Sequence, residues 1–223
     1  MQTKVHMKSL IAIAFAIFAL LGCSALAANT VSVELYYESQ CPYCREFITG
    51  SLNKAYSADG LQQAINLTLV PFGNALESQD SSGAYHYTCE HGVEECVGNL
   101  WAGCVIDQVK DASKYFPVLE CMEESGDNFE TVVPQCVKKF GFDADAIATC
   151  ATSQHGIAVQ HENAVKTGAL SPAHHYVPWI VINGQHNEDT QGEAQENLLS
   201  VVCGLLSTKP AGCSTKIILS TEA

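Results

Sequence analysis

Val31-Ser32-Val33-Glu34-Leu35-Tyr36-Tyr37-Glu38-Ser39-Gln40-Cys41-Pro42-Tyr43-Cys44 is the stretch whose reading decides the fold. Its first seven residues alternate and are rich in β-branched and aromatic side chains, the pattern of a half-buried strand. Beyond the C-x-x-C motif, Cys44, Phe47, Ile48, Leu52, Ala55 and Tyr56 recur at helical spacing despite Gly50. The motif therefore sits at a strand-to-helix junction, with Cys44 opening the helix.

Further along, Ile65, Leu67 and Leu69 alternate with Asn66 and Thr68 up to Pro71, a second strand with one polar face. Asn66-Leu67-Thr68 is the one N-glycosylation sequon, which makes Asn66 the candidate glycan acceptor. From about residue 74 to 170 the character changes, and Cys89, Cys96, Cys104, Cys121, Cys136 and Cys150 lie among short helical stretches. Cys96, Leu100 and Cys104 share one helix face and cannot bridge each other within that helix, so each needs a partner elsewhere. Val177-Pro178-Trp179-Ile180-Val181-Ile182 then reads as an apolar strand, and Asn183-Gly184 after it as a hairpin turn. Thr190-Gln191-Gly192-Glu193 matches a capping box. Leu198, Leu199, Val202, Leu205 and Leu206 form the apolar stripe of a last helix, ended by Lys209-Pro210. This order predicts an α/β, thioredoxin-like core from residues 29–73 and 171–213. Residues 74–170 are a cysteine-rich helical insertion, and 214–223 a C-terminal tail.

Residues 1–28 have no acid, carry Lys4 and Lys8, and continue into an unbroken apolar run from Leu10 to Leu21 and then Ala25-Leu26-Ala27. This is the order of a secretory signal, and the run is shorter than the ~20 apolar residues of a membrane span. Leu20-Leu21-Gly22-Cys23 offers a rival lipoprotein-type cleavage, upstream of the intact A-x-A. Of 11 cysteines in the chain, one, Cys23, lies in the leader. The even, dense remainder in an exported protein implies disulfides among Cys89, Cys96, Cys104, Cys121, Cys136, Cys150, Cys203 and Cys213, with Cys203 and Cys213 close enough to pair. The chain has 24 Asp plus Glu against 11 Lys plus Arg, a net charge of -13, and a single arginine, Arg45. Such a surface repels phosphate backbones, so nucleic acid is not an expected partner.

A cysteine at a helix N-terminus faces unpaired backbone N–H groups and the positive end of the helix dipole, which favour thiolate over thiol. Cys41 is therefore the candidate nucleophile, attacking a foreign disulfide, and Cys44 the candidate resolving thiol. Pro42 fixes φ where a first-turn N–H is orphaned anyway. A zinc role is disfavoured, because neither a second C-x-x-C nor an H-x-x-x-H pair follows at finger spacing and the nearest imidazoles are His86 and His91. No cofactor or metal is expected. Pro178 is the second informative residue. Its place in the order points to a cis Val177–Pro178 bond that turns the backbone toward a bound peptide, so Val177 and Pro178 are candidate substrate-binding residues.

Cys89-Glu90-His91-Gly92-Val93-Glu94-Glu95-Cys96-Val97-Gly98-Asn99, closed by Cys104, resembles the signature C-Q-H-G-x2-E-C-x2-N-x4-C of the gamma-interferon-inducible lysosomal thiol reductase family, with Glu90 where glutamine is usual. With the C-x-x-C and Tyr176-Val177-Pro178-Trp179, the resemblance spans Val31 to Cys213. It implies a glycosylated reductase of protein disulfides, active at acidic pH in the lysosomal lumen or after secretion, with Cys41 and Cys44 as redox pair. The expected partners are disulfide-containing, partly unfolded proteins and a small-thiol or protein electron donor. From their types, Cys89, Cys96 and Cys104 are structural, and His91 is a structural histidine or a proton-handling group. Two alternatives remain from residue chemistry: a disulfide oxidase or isomerase, since reduction potential sets direction, and a non-catalytic disulfide-rich secreted binding protein.

Overall fold

A computed structural model describes residues 29–214. The leader at 1–28 and all of the tail beyond Ser214 lie outside the described residues. Strand β1 (Val31–Tyr37) is the central strand of a three-stranded sheet of order β2-β1-β5. It runs parallel to β2 (Ile65–Pro71), with Leu35 opposite Leu69, and antiparallel to β5 (Trp179–Ile182), with Leu35 opposite Ile180. The alternation of β1 sorts its side chains by face. Val33, Leu35 and Tyr37 join the main helix-covered core, whereas Tyr36 packs with Val70, Trp179 and Val181 in a smaller cluster. Asn66 is exposed on the polar face of β2.

The β1–β2 crossover is helical throughout but not one regular helix. Helix α1 (Pro42–Phe47) passes into a π-helical segment (Ile48–Leu52) and then α2 (Asn53–Tyr56). Opposite this widened turn, the last helix α8 (Glu188–Leu205) breaks at Asn197, whose φ is -156° and ψ 74°. The two irregularities fit each other. Ser51 Oγ donates to Ala194 O at 2.7 Å and accepts from Leu198 N at 2.8 Å, supplying a partner where the kink removes the intrahelical one. Asn197 Oδ1 accepts from Ser200 N and so caps the second half.

The 74–170 segment opens with a hairpin, β3 (Leu76–Gln79) and β4 (Tyr85–Thr88), before turning helical. Short, largely exposed strands of this kind lack the apolar alternation that sequence reading relies on. Five helices follow: α3 (Val93–Val109), α4 (Ala112–Ser125), α5 (Phe129–Lys139), α6 (Ala144–Ala151) and α7 (Gln154–Gly168). Cys89–Cys96 joins the hairpin's exit to α3, Cys104–Cys150 joins α3 to α6, and Cys121–Cys136 joins α4 to α5. Cys203–Cys213 closes α8 onto a short 3-10 turn (Ala211–Ser214). One apolar cluster runs from Val33 and Leu35 through Phe47 and Leu52 to Val105, Leu119, Phe129 and Ile147, so the helices complete the core of the sheet. Among the described residues, no helix is long and apolar enough to cross a membrane.

Two local expectations change at β5. Asn183 and Gly184 both have positive φ, as a tight hairpin turn requires, but the returning arm is a single bridge between Ile182 and Gln185. The chain then enters α8, whose N-cap is Asn187, accepting from Thr190 N, so the helix starts before the Thr190 box. Of the expected stripe, Leu198, Val202 and Leu206 are buried and Leu199 partly so, while Leu205 is 52% exposed. Replacing Ser51 by alanine strips the buried Leu198 N–H of its acceptor and should lower unfolding free energy by about 1–3 kcal/mol, read by chemical denaturation. An unchanged midpoint would show that the kink does not depend on this hydroxyl.

Candidate active site

Strand β1 stops at Tyr37, and the next residues turn inward: Glu38 and Ser39 are both fully buried. Helix α3 holds this loop. Ser39 N donates to Asn99 Oδ1 at 2.9 Å, and Ser39 Oγ donates to Glu95 O at 3.1 Å. Gly98 makes the approach possible, because a Cβ there would collide with Ser39 Oγ and lie 2.6 Å from the Phe129 ring. Cys41 N donates to Glu38 O at 3.3 Å, and Cys41 becomes the N-cap of α1, with φ -66° and ψ 120° and Pro42 at the first helical position. Cys44 lies one turn inside, fully buried. Neither sulfur is bridged.

The two cysteines differ sharply. The Cys41 thiol is pulled down to about 6, chiefly by a hydrogen bond from the Cys44 thiol, with burial opposing and the backbone N–H groups of Cys44 and Tyr43 and the charge of His91 helping. The amides expected to dominate thus act second to the neighbouring sulfur. Cys44 is pushed well above the ordinary thiol value by burial first and by Cys41 next. Cys41 is less open than a nucleophile read from sequence, exposing 5% of its surface. The reason is the loop before β5: Cys41 Sγ lies 3.9 Å from Val177 O, and Val177–Pro178 is a cis peptide. That contact is only partly buried, and Tyr43, two residues after Cys41, is 67% exposed.

Charged residues surround the pair, and two of them, Glu38 and Glu123, were not singled out in the sequence. Glu38 is raised to about 7, by burial first and then by Glu95, with the Asn74 N–H opposing and Glu90 and Cys41 adding to the rise. Its carboxylate lies 3.7 Å from His91 Nδ1, which is also hydrogen-bonded to Glu95. On the other side, Glu123 of α4 is fully buried and raised by burial, against the pull of Arg45, whose Nε lies 3.9 Å away. Arg45 also donates to Gly126 O and sits 3.5 Å from Ser39 O. The signal for Glu38 was an acid set between a buried strand and the motif; nothing local marked Glu123. Among the described residues, two groups of side chains bring three metal-type ligand atoms within 4.8 Å: Glu38, His91 and Glu95, and Asp107, Cys150 and His155. In the second, Cys150 is spent in its bridge to Cys104.

Residues 32–140 match the family model described as gamma interferon inducible lysosomal thiol reductase. A Carassius auratus protein named gamma-interferon-inducible lysosomal thiol reductase is 41% identical over 194 residues, covering 86% of this chain and 75% of that one. The chain belongs to the gamma-interferon-inducible lysosomal thiol reductase family. A second family member, the thiol reductase of Mus musculus, is 36% identical over 189 residues, covering 83% of this chain and 72% of that one. Among solved structures, DsbA of Chlamydia trachomatis matches with a TM-score of 0.55 at 15% identity over 80% of this chain and 89% of that one. The family's thioredoxin-like fold, with helices inserted between β2 and β5, is thus the fold of this protein. In the reduced protein, alkylation by iodoacetamide should follow one titration with a midpoint about 6, carried by Cys41, with Cys44 silent. Rates that stay flat to pH 8 would contradict the thiolate assignment.

Proposed function

We propose that this protein reduces disulfide bonds of partly unfolded proteins at acidic pH, with Cys41 as nucleophile and Cys44 as resolving thiol. The observation that carries the reading is the contrast between the two sulfurs, one lowered to about 6 at a helix start, the other buried and raised one turn behind it. At pH ~5 a thiol of pKa ~6 is roughly one-tenth ionised, against about one in ten thousand at pKa ~9. The weaker intrinsic nucleophilicity, with a Brønsted slope of ~0.4–0.5, removes only part of that gain.

The Cys41 thiolate attacks one sulfur of the substrate disulfide, forming a Cys41–substrate disulfide and releasing the other substrate sulfur as a thiolate, which takes a proton from water. Cys44 then attacks Cys41 Sγ, losing its proton and releasing the second substrate thiol, so the protein is oxidised by two electrons and the substrate reduced by two. A small-thiol or protein donor restores the dithiol. Peptide on either side of the substrate disulfide meets the Val177 carbonyl, which borders the Cys41 sulfur, and Pro178 next to it in the chain. Glycosylation at Asn66 suits its exposed place on β2, and lumenal or secreted residence follows from the leader read in the sequence and from the names of the relatives. Eight cysteines held in four disulfides suit such a compartment.

Assaying reduction of a denatured disulfide protein at pH ~5 tests the proposal. Cys41→Ser should abolish turnover, and Cys44→Ser should accumulate a mixed disulfide on Cys41. No turnover by the wild-type protein would favour the non-catalytic binding protein instead, and full activity in Cys41→Ser would remove Cys41 as the nucleophile.

A further inference from the structure

The signature segment does more than supply disulfides. Its His91, just before α3, and Glu95, in the first turn of that helix, both reach Glu38, the residue three before Cys41. Glu95 is fully buried and its carboxylate is hydrogen-bonded to His91 Nδ1. The Oε2 of Glu38, also fully buried, has no hydrogen-bond partner and faces the same imidazole at 3.7 Å. The same helix clamps the loop backbone through Asn99 and Glu95 to Ser39. Two buried carboxyls around one imidazole, fastened to the loop that ends in Cys41, form an arrangement that a purely packing helix has no need of.

We propose that the signature positions the nucleophile's counter-charge: Glu95 orients the His91 ring through its hydrogen bond, Asn99 and the Glu95 carbonyl hold the loop that carries Glu38, and His91 serves as the positive partner of the Cys41 sulfur. His91 and Glu95 are positioning residues for the reaction, and the proposal rests on Cys41 being the attacking sulfur.

Charge bookkeeping supports this. Burial works against a charged His91, but the Glu95 hydrogen bond and the charges of Glu95, Glu38 and Cys41 outweigh it and raise the ring's pKa. Glu38 faces Glu95, Glu90, His91, Cys41 and Cys44, and with its value about 7 it is neutral in acid. Cys41 faces Cys44, His91, Glu38 and, from α4, Glu123, whose own charge is suppressed by burial and countered by Arg45. Below pH ~6 Glu38 is then neutral beside a His91 ring whose pKa is raised, so Glu38 adds no negative charge beside the thiolate. Above pH ~7 Glu38 ionises and repels it.

The test is the alkylation midpoint of Cys41 in the full reduced protein, with kcat/KM for disulfide reduction and the melting temperature measured in parallel. His91→Gln and Glu95→Gln should each raise the midpoint by roughly half to one unit, with about three- to ten-fold slower alkylation at pH 5 and a matching fall in kcat/KM. Glu38→Gln, which copies the protonated carboxyl, should leave alkylation at pH 5 within about two-fold. An unchanged midpoint in His91→Gln overturns the proposal, and so does an equal rise in Glu38→Gln. If Glu95→Gln does not fold, His91→Gln decides alone, since the His91 side chain is 39% exposed and its replacement leaves the core intact. A wild-type midpoint about 6 with no reduction of protein disulfides would sink the reductase reading and leave this one standing.

Discussion

Holding negative charge on one sulfur inside a largely buried, acid-rich site is the constraint on which the rest of the structure depends. The net charge of -13 and the buried Glu38 and Glu123 oppose it. What favours it is local: the Cys44 thiol as donor, the free N–H groups at the start of α1, and His91. Each acts only if Cys41 sits where β1 ends and α1 begins, and that junction is held on both sides by elements distant in sequence. Asn99 of α3 holds Ser39, and the Val177 carbonyl borders the sulfur.

The helices between β2 and β5 are therefore part of the site's construction. They share the sheet's apolar core, and α3 and α4 deliver Glu95, Asn99 and Glu123 to the surroundings of the C-x-x-C segment. Acid acts on the same arrangement in two opposite senses. A carboxyl raised by burial, as Glu38 is, contributes stability that is whole below its ordinary 4.5 and lost as pH rises through about 7. Cys41 has the opposite sign, its contribution being full above its ordinary 9.0 and lost as pH falls through about 6.

Much of the frame was legible in the sequence because short-range patterns carried it. The alternation of Val31–Tyr37 and Ile65–Pro71 gave two paired strands, and C-P-Y-C at a strand end placed Cys41 and Cys44. The β3–β4 hairpin, the π segment across Gly50 and the kink at Asn197 were not legible. The first lacks an apolar face, and the other two compensate each other across a sequence gap through Ser51. Glu123 was hidden for a similar reason, since its meaning comes from Arg45 and Cys41, which only the fold brings near.

Direction of electron flow follows from the energy difference between dithiol and disulfide, which a stabilised Cys41 thiolate shifts toward the dithiol. Equilibrating the Cys41/Cys44 couple with glutathione buffers measures that difference most directly. The account predicts a couple on the reducing side of about -180 mV, the value of disulfide isomerases. A potential near the roughly -120 mV of the strong bacterial oxidase DsbA would contradict it.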